Sequence, residues 1–336
     1  MNDYQNIRLD KGMYKAGGGF TGQLEALDPS PRYAGTELAG LDAFQRQLKR
    51  FDIKVGGSGS DAIEKFFSTA DSAALFPEYV SRAVGQGMEE SEILSSIIAT
   101  KTNINSMDYR TISTNHSDAD LKLADVVEGG FIPQTTIKLK EQLVTLKKRG
   151  RMLVASYEAI KFQRLDLFTV TLRQIGSYIA RSQLRDAVEV LISGDGSGPA
   201  ADTAQTAGTT LAYSDLVNLW NRLGDYKLNT LLASPDMAVR ILNLPEFISP
   251  AAGADFHTTG RLVTPMGATL ISTSAVPAGT VVGLDRRYAL EMVTAGDVNV
   301  DYDKLIDCQL ERAAITSIAG FSKIFPDAVK VMTLKQ

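Results

Sequence analysis

The longest regular pattern of hydrophobic positions lies in the middle of the chain. Apolar residues recur every three or four positions from Leu165 to Leu191, which predicts one amphipathic helix of about 28 residues, roughly 42 Å long. The glycine-rich run 194–198 follows it and is typical of a helix end and a loop. Because globular helices average about 11–12 residues, this helix is the dominant element that the pattern predicts.

A second helical stripe lies closer to the N-terminus. Residues 1–34 show no clear period and predict an irregular segment, whereas Thr36 is a candidate N-cap for the stripe that follows. The glycine- and serine-rich run 56–60 then predicts a flexible linker. A helix between two flexible segments must cover its apolar face by folding back on its own chain or by docking on a neighbouring chain, and the sequence leaves both alternatives open. The stripe consists of Leu38, Leu41, Phe44, Leu48 and Phe51.

Extended patterns dominate residues 132–164. Ile137 and Leu139 alternate with lysines there, as in an exposed strand. The stretch holds eight Lys or Arg against two Glu, which is a local charge of +6. Three interpretations remain: a contact between subunits, a solvated strand, or a nucleic-acid surface. Few aromatic side chains are available to stack on bases, so nucleic acid is the least favoured of the three.

The remainder of the chain mixes short helices and strands, so the predicted class is α+β. Ser214 is a candidate cap for one helix, and Ser234 followed by Pro235 is a typical start of another. No internal repeat is visible in the sequence. Further strands are predicted at 228–233, 268–272, 281–284, 298–302 and 315–325.

Composition and charge narrow the classes of function. The 35 Lys and Arg nearly balance the 39 Asp and Glu, and a net charge of −4 gives no overall attraction to nucleic acid. The sequence contains no run of about 20 apolar residues, so no membrane span is predicted. The polar N-terminal segment lacks the apolar core of a signal peptide. We therefore expect synthesis in the cytoplasm. The single cysteine, Cys308, allows no intrachain disulfide.

Motifs of reactive chemistry are missing from the sequence. His116 and His257 do not have metal-binding spacing, and no G-x-S-x-G motif occurs. The run 194–198 follows a helix, whereas a loop that cradles phosphate precedes one. We expect no cofactor, metal or catalytic site, although a soluble α+β enzyme that uses carboxylates stays an alternative. The acidic cluster Asp301, Asp303 and Asp307 lacks the glycine turn and the bidentate Glu of a calcium loop.

The order of these segments carries a resemblance to a known family. "LKKRGRMLVASYEAI" (146–160), "IARSQLRDAVEVLISGDGSG" (179–198), "LLASPDMAVRILNL" (231–244) and "FPDAVKVMTL" (325–334) follow one another as in the major capsid proteins of tailed phages with the Hong Kong 97-type fold. The segment 260–292 is similar to the later strands of that family's axial domain. The resemblance covers about residues 72–334.

The resemblance implies a division of the chain into an arm, a loop, a long spine helix and two domains. It implies an N-terminal arm (1–71), the start of a peripheral domain (72–131), an extended loop (132–164), the spine helix with its following loop (165–210), an axial domain (211–284) and return strands of the peripheral domain (285–336). The arm is longer and more helical than the family pattern.

The implied function is assembly rather than catalysis. Copies would form hexamers and pentamers of an icosahedral virion capsid around double-stranded DNA, assembled in the host cytoplasm. The implied partners are further copies, a portal, scaffolding or decoration proteins, and weakly contacted DNA, with no membrane. An encapsulin-like nanocompartment shell of the same fold is the nearer alternative, and the carboxylate enzyme is the farther one.

Three groups of residues are candidates for contacts between subunits. Residues 297–311 carry a local charge of −4, opposite to the +6 of 132–164, so we hypothesise that the basic loop of one subunit docks over the acidic strand of the next. The arm stripe is the third candidate surface. The candidate residues are Leu41, Phe44 and Leu48 in the arm, Lys147, Lys148 and Arg149 in the loop, and Asp301, Asp303 and Asp307 in the strand.

Overall fold

The chain folds into two compact units, each assembled from three stretches of sequence. A computed structural model describes residues 4–15, 19–90, 93–106, 109–113, 125, 128, 138–140, 143–196, 199–248, 264, 266–296, 298–305 and 310–335. The first unit contains residues 1–91, 148–180 and 297–317, and the second contains 92–147, 181–296 and 318–336.

Helices and strands occur partly in separate runs, which is typical of the predicted α+β class. The helices are α1 (Gly19–Leu27), α2 (Ala43–Arg50), α3 (Ala70–Ala73), α4 (Phe76–Glu90), α5 (Tyr157–Phe162), α6 (Leu165–Ser193), α7 (Tyr213–Arg222), α8 (Pro235–Leu242) and α9 (Pro245–Ile248). The strands are β1 (Thr100–Asn103), β2 (Ile112–Ser113), β3 (Lys138–Leu139), β4 (Lys147–Ser156), β5 (Asp202–Gln205), β6 (Thr230–Ala233), β7 (Thr269–Ser272), β8 (Thr280–Leu284), β9 (Leu290–Thr294), β10 (Asn299–Leu305), β11 (Leu310–Lys323) and β12 (Val329–Thr333).

The long central helix is present as the hydrophobic pattern predicts. Helix α6 has 29 residues and begins at Leu165. Gly194 follows it with a φ of 89°, a left-handed conformation that glycine adopts without steric cost and that commonly ends a helix. The residues up to Ala180 belong to the first unit, and the helix continues into the second.

In the first unit, α6 and α4 touch through their backbones. A Cβ atom built on Gly176 would lie 2.0 Å from the carbonyl oxygen of Val84, and one built on Gly87 would lie 2.0 Å from that of Arg173. Glycine at both positions therefore allows the two helices to approach more closely than any side chain would permit. Val80, Val84, Leu172 and Ile175 are buried in the same hydrophobic cluster.

The N-terminal arm is more regular than the sequence predicts, and its main helix starts later. Part of the predicted irregular segment 1–34 forms α1, in which Phe20 and Leu24 are buried. Thr36 lies in a turn and is not the cap. Helix α2 begins after Asp42, whose carboxylate accepts a hydrogen bond from the Gln45 N–H while the Gln45 side chain accepts one from the Asp42 N–H. This reciprocal capping box satisfies two amides that the Thr36 hydroxyl would not reach.

A three-stranded region of sheet covers one side of the first unit. Strand β10 pairs antiparallel with the first half of β11, and β4 also pairs with β11. Gly150 allows the close approach of β4, because a Cβ there would lie 2.4 Å from the Ile315 carbonyl oxygen. The end of the predicted extended stretch is instead helical: the Ser156 hydroxyl accepts a hydrogen bond from the Ala159 N–H and caps α5.

The second unit contains a five-stranded mixed sheet between two hydrophobic clusters. Its strand order is β5-β12-β8-β6-β7. Leu231 and Ala233 face a cluster that includes α7 and α8, whereas Leu232 faces a cluster that includes the C-terminal part of α6. Helix α8 starts after Ser234 with Pro235 in its first turn, as predicted. Helix α7 starts before the predicted cap Ser214, and the Asp215 carboxylate accepts a hydrogen bond from the Ala212 N–H instead.

A hairpin base also belongs to the second unit. Strand β2 pairs antiparallel with β3, so the first leg of the hairpin lies before the predicted loop boundary at residue 132. The second leg contains the predicted alternation at Leu139, whereas Ile137 lies outside the described residues. Behind the hairpin, β9 pairs parallel with β1 and antiparallel with the second half of β11.

Candidate assembly surfaces

The arm stripe is buried within its own chain. Phe44 and Leu48 are 3% and 7% exposed and belong to the main hydrophobic cluster of the first unit. The guanidinium of Arg82 lies 4.4 Å from the centroid of the Phe44 ring. Arg82 also forms ion pairs of 2.6 Å with Asp42 and 2.8 Å with Glu78. Of the two alternatives that the sequence leaves open, the structure therefore places the stripe against the same chain.

The remaining member of that candidate surface is Leu41. It is half-buried, and its carbonyl oxygen accepts a 2.6 Å hydrogen bond from Arg46. Phe44 and Leu48 are already covered, so only Leu41 among the three offers surface to a neighbouring chain. A contact between subunits at this position stays a prediction.

A buried arginine network ties the arm together, and the sequence pattern did not single it out. The side chain of Arg46 is fully buried and donates hydrogen bonds to the Asp28 carboxylate at 2.6 Å and to the Ser30 hydroxyl at 3.0 Å. The Tyr33 hydroxyl donates to the same carboxylate at 2.6 Å, and burial together with that hydrogen bond raises the pKa of Tyr33 to about 12. Because Arg46 lies off the apolar stripe of Phe44 and Leu48, helical spacing alone does not distinguish it from an exposed arginine.

The predicted basic contact residues begin strand β4. Lys147 forms ion pairs in its own chain with Asp186 at 3.1 Å and with Glu189 at 3.6 Å. Lys148 is exposed, and Arg149 is half-buried on the same strand. The structure therefore gives Lys147 a role within one chain, and a contact of Lys148 and Arg149 with a neighbouring subunit stays a prediction.

The predicted acidic residues lie on strand β10. Asp301 and Asp303 are both exposed. Asp303 forms a 2.9 Å ion pair with Arg312, and Asp301 accepts a 3.1 Å hydrogen bond from Asn299. Asp307 lies outside the described residues. Because β10 and β4 both pair with β11, the acidic and basic strands of one chain are about 10 Å apart, two strand spacings.

Two short rows of exposed apolar side chains occur in the first unit, and neither was predicted. Met152 and Val154 alternate along one face of β4, and both are more than half exposed. Leu167 and Val170 lie three residues apart on one face of α6, and Phe162, just before this helix, is 75% exposed. Exposed apolar rows of this kind are typical of protein–protein contact surfaces.

Two buried polar clusters hold the base of the hairpin, and their residues are scattered in sequence. Glu291 of β9 is buried, and its carboxylate accepts hydrogen bonds from the hydroxyls of Thr102 at 2.6 Å, Tyr109 at 2.7 Å and Thr111. Burial and the Glu291 carboxylate raise the pKa of Tyr109. The first leg of the hairpin is thus attached to strand β9.

The second cluster attaches the other leg. The ammonium of Lys140 donates hydrogen bonds to the Asp195 carboxylate at 2.7 Å, to the Ser322 hydroxyl at 3.1 Å and to the Lys323 carbonyl oxygen at 2.7 Å. None of these residues was singled out from the sequence, although Lys323 is the one charged residue in the predicted extended run 315–325.

Within the described parts of the chain, no group of three or more His, Cys, Asp and Glu side chains has the arrangement of a metal site. The helices described also include none with the length and hydropathy needed to cross a membrane.

The fold is shared with solved capsids. The capsid of the native GTA particle aligns with a TM-score of 0.54 and 16% identity, covering 72% of this chain and 90% of that one. A virus-like particle from Pyrococcus furiosus aligns with a TM-score of 0.53 and 12% identity over 76% of this chain and 99% of that one. Gordonia phage Cozz aligns with a TM-score of 0.51 and 12% identity over 73% and 86%. The fold is the Hong Kong 97-type capsid fold, as the resemblance implied.

The sequence itself matches a protein family. The family described as phage capsid protein matches residues 140–307, a range that includes β4, the long helix α6 and the strands β5 to β10. No curated protein matched this chain. The chain belongs to the phage capsid protein family, and it is a shell-forming structural protein.

Proposed function

We propose that copies of this chain form hexamers and pentamers that close into an icosahedral shell around double-stranded DNA. The family match over residues 140–307 is the observation that carries this proposal. The arm, the hairpin and the long helix occur in the chain order of such shell proteins. The domain boundaries proposed from the sequence are retained, except that the hairpin is extended to include Ile112–Ser113.

The exposed apolar rows on β4 and α6 are proposed as subunit contacts. Burying one large apolar side chain contributes about 1.5–3 kcal/mol, and repetition around a closed shell adds many such contacts together. Met152→Ser with Leu167→Ser should therefore weaken assembly. Lys161→Ser is the matched control, because it changes an exposed polar position between the two rows.

Docking of the basic strand on the acidic strand of a neighbouring copy is proposed as a steering contact. Exposed ion pairs contribute only about 0–1 kcal/mol each, so charge reversal should slow assembly more than it lowers shell stability. Lys148→Glu with Arg149→Glu should slow assembly at low salt, and Asp301→Lys with Asp303→Lys in the same chain should partly restore the rate. A rate that does not recover in the combined variant would contradict the pairing.

The overall function is tested by the size and contents of the particles. Purified full-length protein is fractionated by gel filtration at several salt concentrations and imaged by negative-stain electron microscopy, where we expect capsomers or closed shells. A chain that stays monomeric in every condition would contradict assembly and favour the carboxylate enzyme.

The contents of native particles distinguish the two shell functions. Nuclease-protected double-stranded DNA would support the capsid. A portal, scaffolding or decoration proteins and assembly in the host cytoplasm are proposed with it. A protein cargo without DNA would support the encapsulin-like nanocompartment instead.

A further inference from the structure

The base of the hairpin is attached to adjacent strands at one register position. Glu291 of β9 and Ser322 of β11 are direct partners in the antiparallel ladder, so their side chains lie on the same face of the sheet. Glu291 binds the first leg through Tyr109 and Thr111. Ser322 lies within the cluster that binds Lys140 of the second leg.

The two legs are also bonded to each other directly above these clusters. The Lys140 N–H donates a 2.9 Å hydrogen bond to the Thr111 carbonyl oxygen, and the Val144 N–H donates one of 2.9 Å to that of Tyr109. The backbone pairing of the legs and the two polar clusters therefore form one connected structure, and loosening either cluster should expose these amides.

The second cluster contains two lysines and one aspartate in a site with little access to water. The side chains of Lys140 and Asp195 are 11% and 6% exposed, and Lys323 as a whole is 1% exposed. Asp195 also accepts hydrogen bonds from the Ser322 hydroxyl at 2.5 Å and from the Lys323 N–H at 3.1 Å. Its carboxylate is therefore shared among several donors.

The ammonium of Lys323 is poorly compensated by comparison. It donates a 3.3 Å hydrogen bond to the Pro199 carbonyl oxygen. The charged groups that face it are Asp195 from the loop after α6 and Lys140 from the second leg, and Glu291 lies on the adjacent strand across from Ser322. With both lysines charged, the cluster holds an excess positive charge in a buried site, which is unfavourable.

We propose that this cluster holds the base of the hairpin in a closed arrangement, and that the charge state of Lys323 determines how stable this closed arrangement is. Loss of the Lys323 proton leaves a balanced Lys140–Asp195 ion pair, so the closed arrangement becomes more stable. Gain of the proton favours an opened arrangement in which the ammonium reaches water. The inference rests on the proposed function only where it assumes that the hairpin takes part in contacts between shell subunits.

The direction and range of the pH response follow from the environment of Lys323. Burial and the nearby Lys140 lower the pKa of Lys323 from 10.5 to about 8, although Asp195 opposes the shift. An opened base, in which the pKa returns to its ordinary value, binds more protons between these two values. The closed base should therefore gain stability as pH rises from 8 towards 10.5, and opening should fall about tenfold between pH 7 and pH 9.

The test is hydrogen exchange of the full-length chain, read on peptides that contain Lys140 and Val144 and corrected for the intrinsic effect of pH on exchange. Wild-type protein should show about tenfold greater protection at pH 9 than at pH 7. Lys323→Met should remove the pH response, and Lys140→Met should lower protection at both pH values.

Lys330→Met is the matched control, because Lys330 is another nearly buried lysine on a strand of the second unit, paired with Asp327 at 3.1 Å. It should leave the pH response unchanged. Wild-type protection that does not change with pH would overturn the proposal, and so would an unchanged response in Lys323→Met. Both readings are made on unassembled protein, so a failure of shell formation would be seen separately by electron microscopy.

Discussion

The backbone contact between α4 and α6 makes Gly176 a sensitive position in the first unit. In Gly176→Ala, the new Cβ would lie 2.0 Å from the Val84 carbonyl oxygen and 2.9 Å from the Met88 nitrogen. Both atoms belong to helix backbone, so no side chain can rotate away, and the helices must separate by more than 1 Å to restore a normal contact of about 3.5 Å.

The energetic cost has two opposing parts. Overpacking of a filled core costs about 1–3 kcal/mol, and a gap of only 0.5–1 Å already forfeits roughly a quarter to a half of the contact energy along an interface. Replacing glycine by alanine inside a helix contributes about 1 kcal/mol in the other direction. We expect a net loss of about 0–2 kcal/mol in the free energy of unfolding, and a difference of about 1–3 kcal/mol from a glycine-to-alanine substitution without the clash.

Gly85→Ala separates these two parts. Gly85 lies in α4 near the crossing, but a Cβ there meets no atom within 4 Å. This variant should therefore gain stability from helix propensity without the clash. The assay is urea unfolding of dissociated protein followed by circular dichroism. Equal midpoints for Gly176→Ala and Gly85→Ala would refute the close helix contact.

Three further predictions concern single buried groups. Arg46→Met should cost about 3–5 kcal/mol in the free energy of unfolding, because it leaves the buried Asp28 carboxylate without its cation. Phe44→Ala should cost about 3–5 kcal/mol in unfolding of the dissociated chain, whereas a stripe used only between subunits would change assembly alone. Burial alone would raise the pKa of Asp285, but hydrogen bonds from Arg287, the Lys227 N–H and Asn229 lower it to about 2. Its stabilisation should therefore be complete above about pH 4 and be lost as pH falls towards 2, and Asp285→Asn should show a flatter dependence in acid unfolding.

Local pattern was sufficient for the elements whose buried face is regular. The stripe from Leu165 to Leu191 predicted α6 because a helix of that length repeats the same apolar face many times. The helix start at Ser234 and Pro235 and the strands around it were predicted for a similar reason, since the signals for a helix start and for a strand lie within a few residues of the element itself. The order of such elements was enough to indicate the capsid family.

Tertiary structure decided how these elements meet. The arm stripe that contains Phe44 could fold back on its own chain or dock on a neighbouring chain. The outcome depends on which surface is nearest in space, and the spacing of hydrophobic residues does not encode this. The predicted start of α2 was wrong because Thr36 and Asp42 are both residues that commonly cap helices. Only the folded path of the chain shows that Asp42 is the cap.

The buried polar groups were the least accessible to sequence reasoning. Lys140, Asp195 and Lys323 come from three distant stretches, and each would be read by itself as an ordinary surface residue. Gly176 and Gly87 likewise resemble any other helical glycine in the sequence. Their role is visible only when the facing helix is seen to approach them closely. Helix spacing and strand alternation are properties of neighbouring residues, whereas charge burial and backbone contact depend on residues far apart in the chain. The sequence therefore determined the elements and the family, and only the tertiary structure decided which of its charges and glycines hold the fold together.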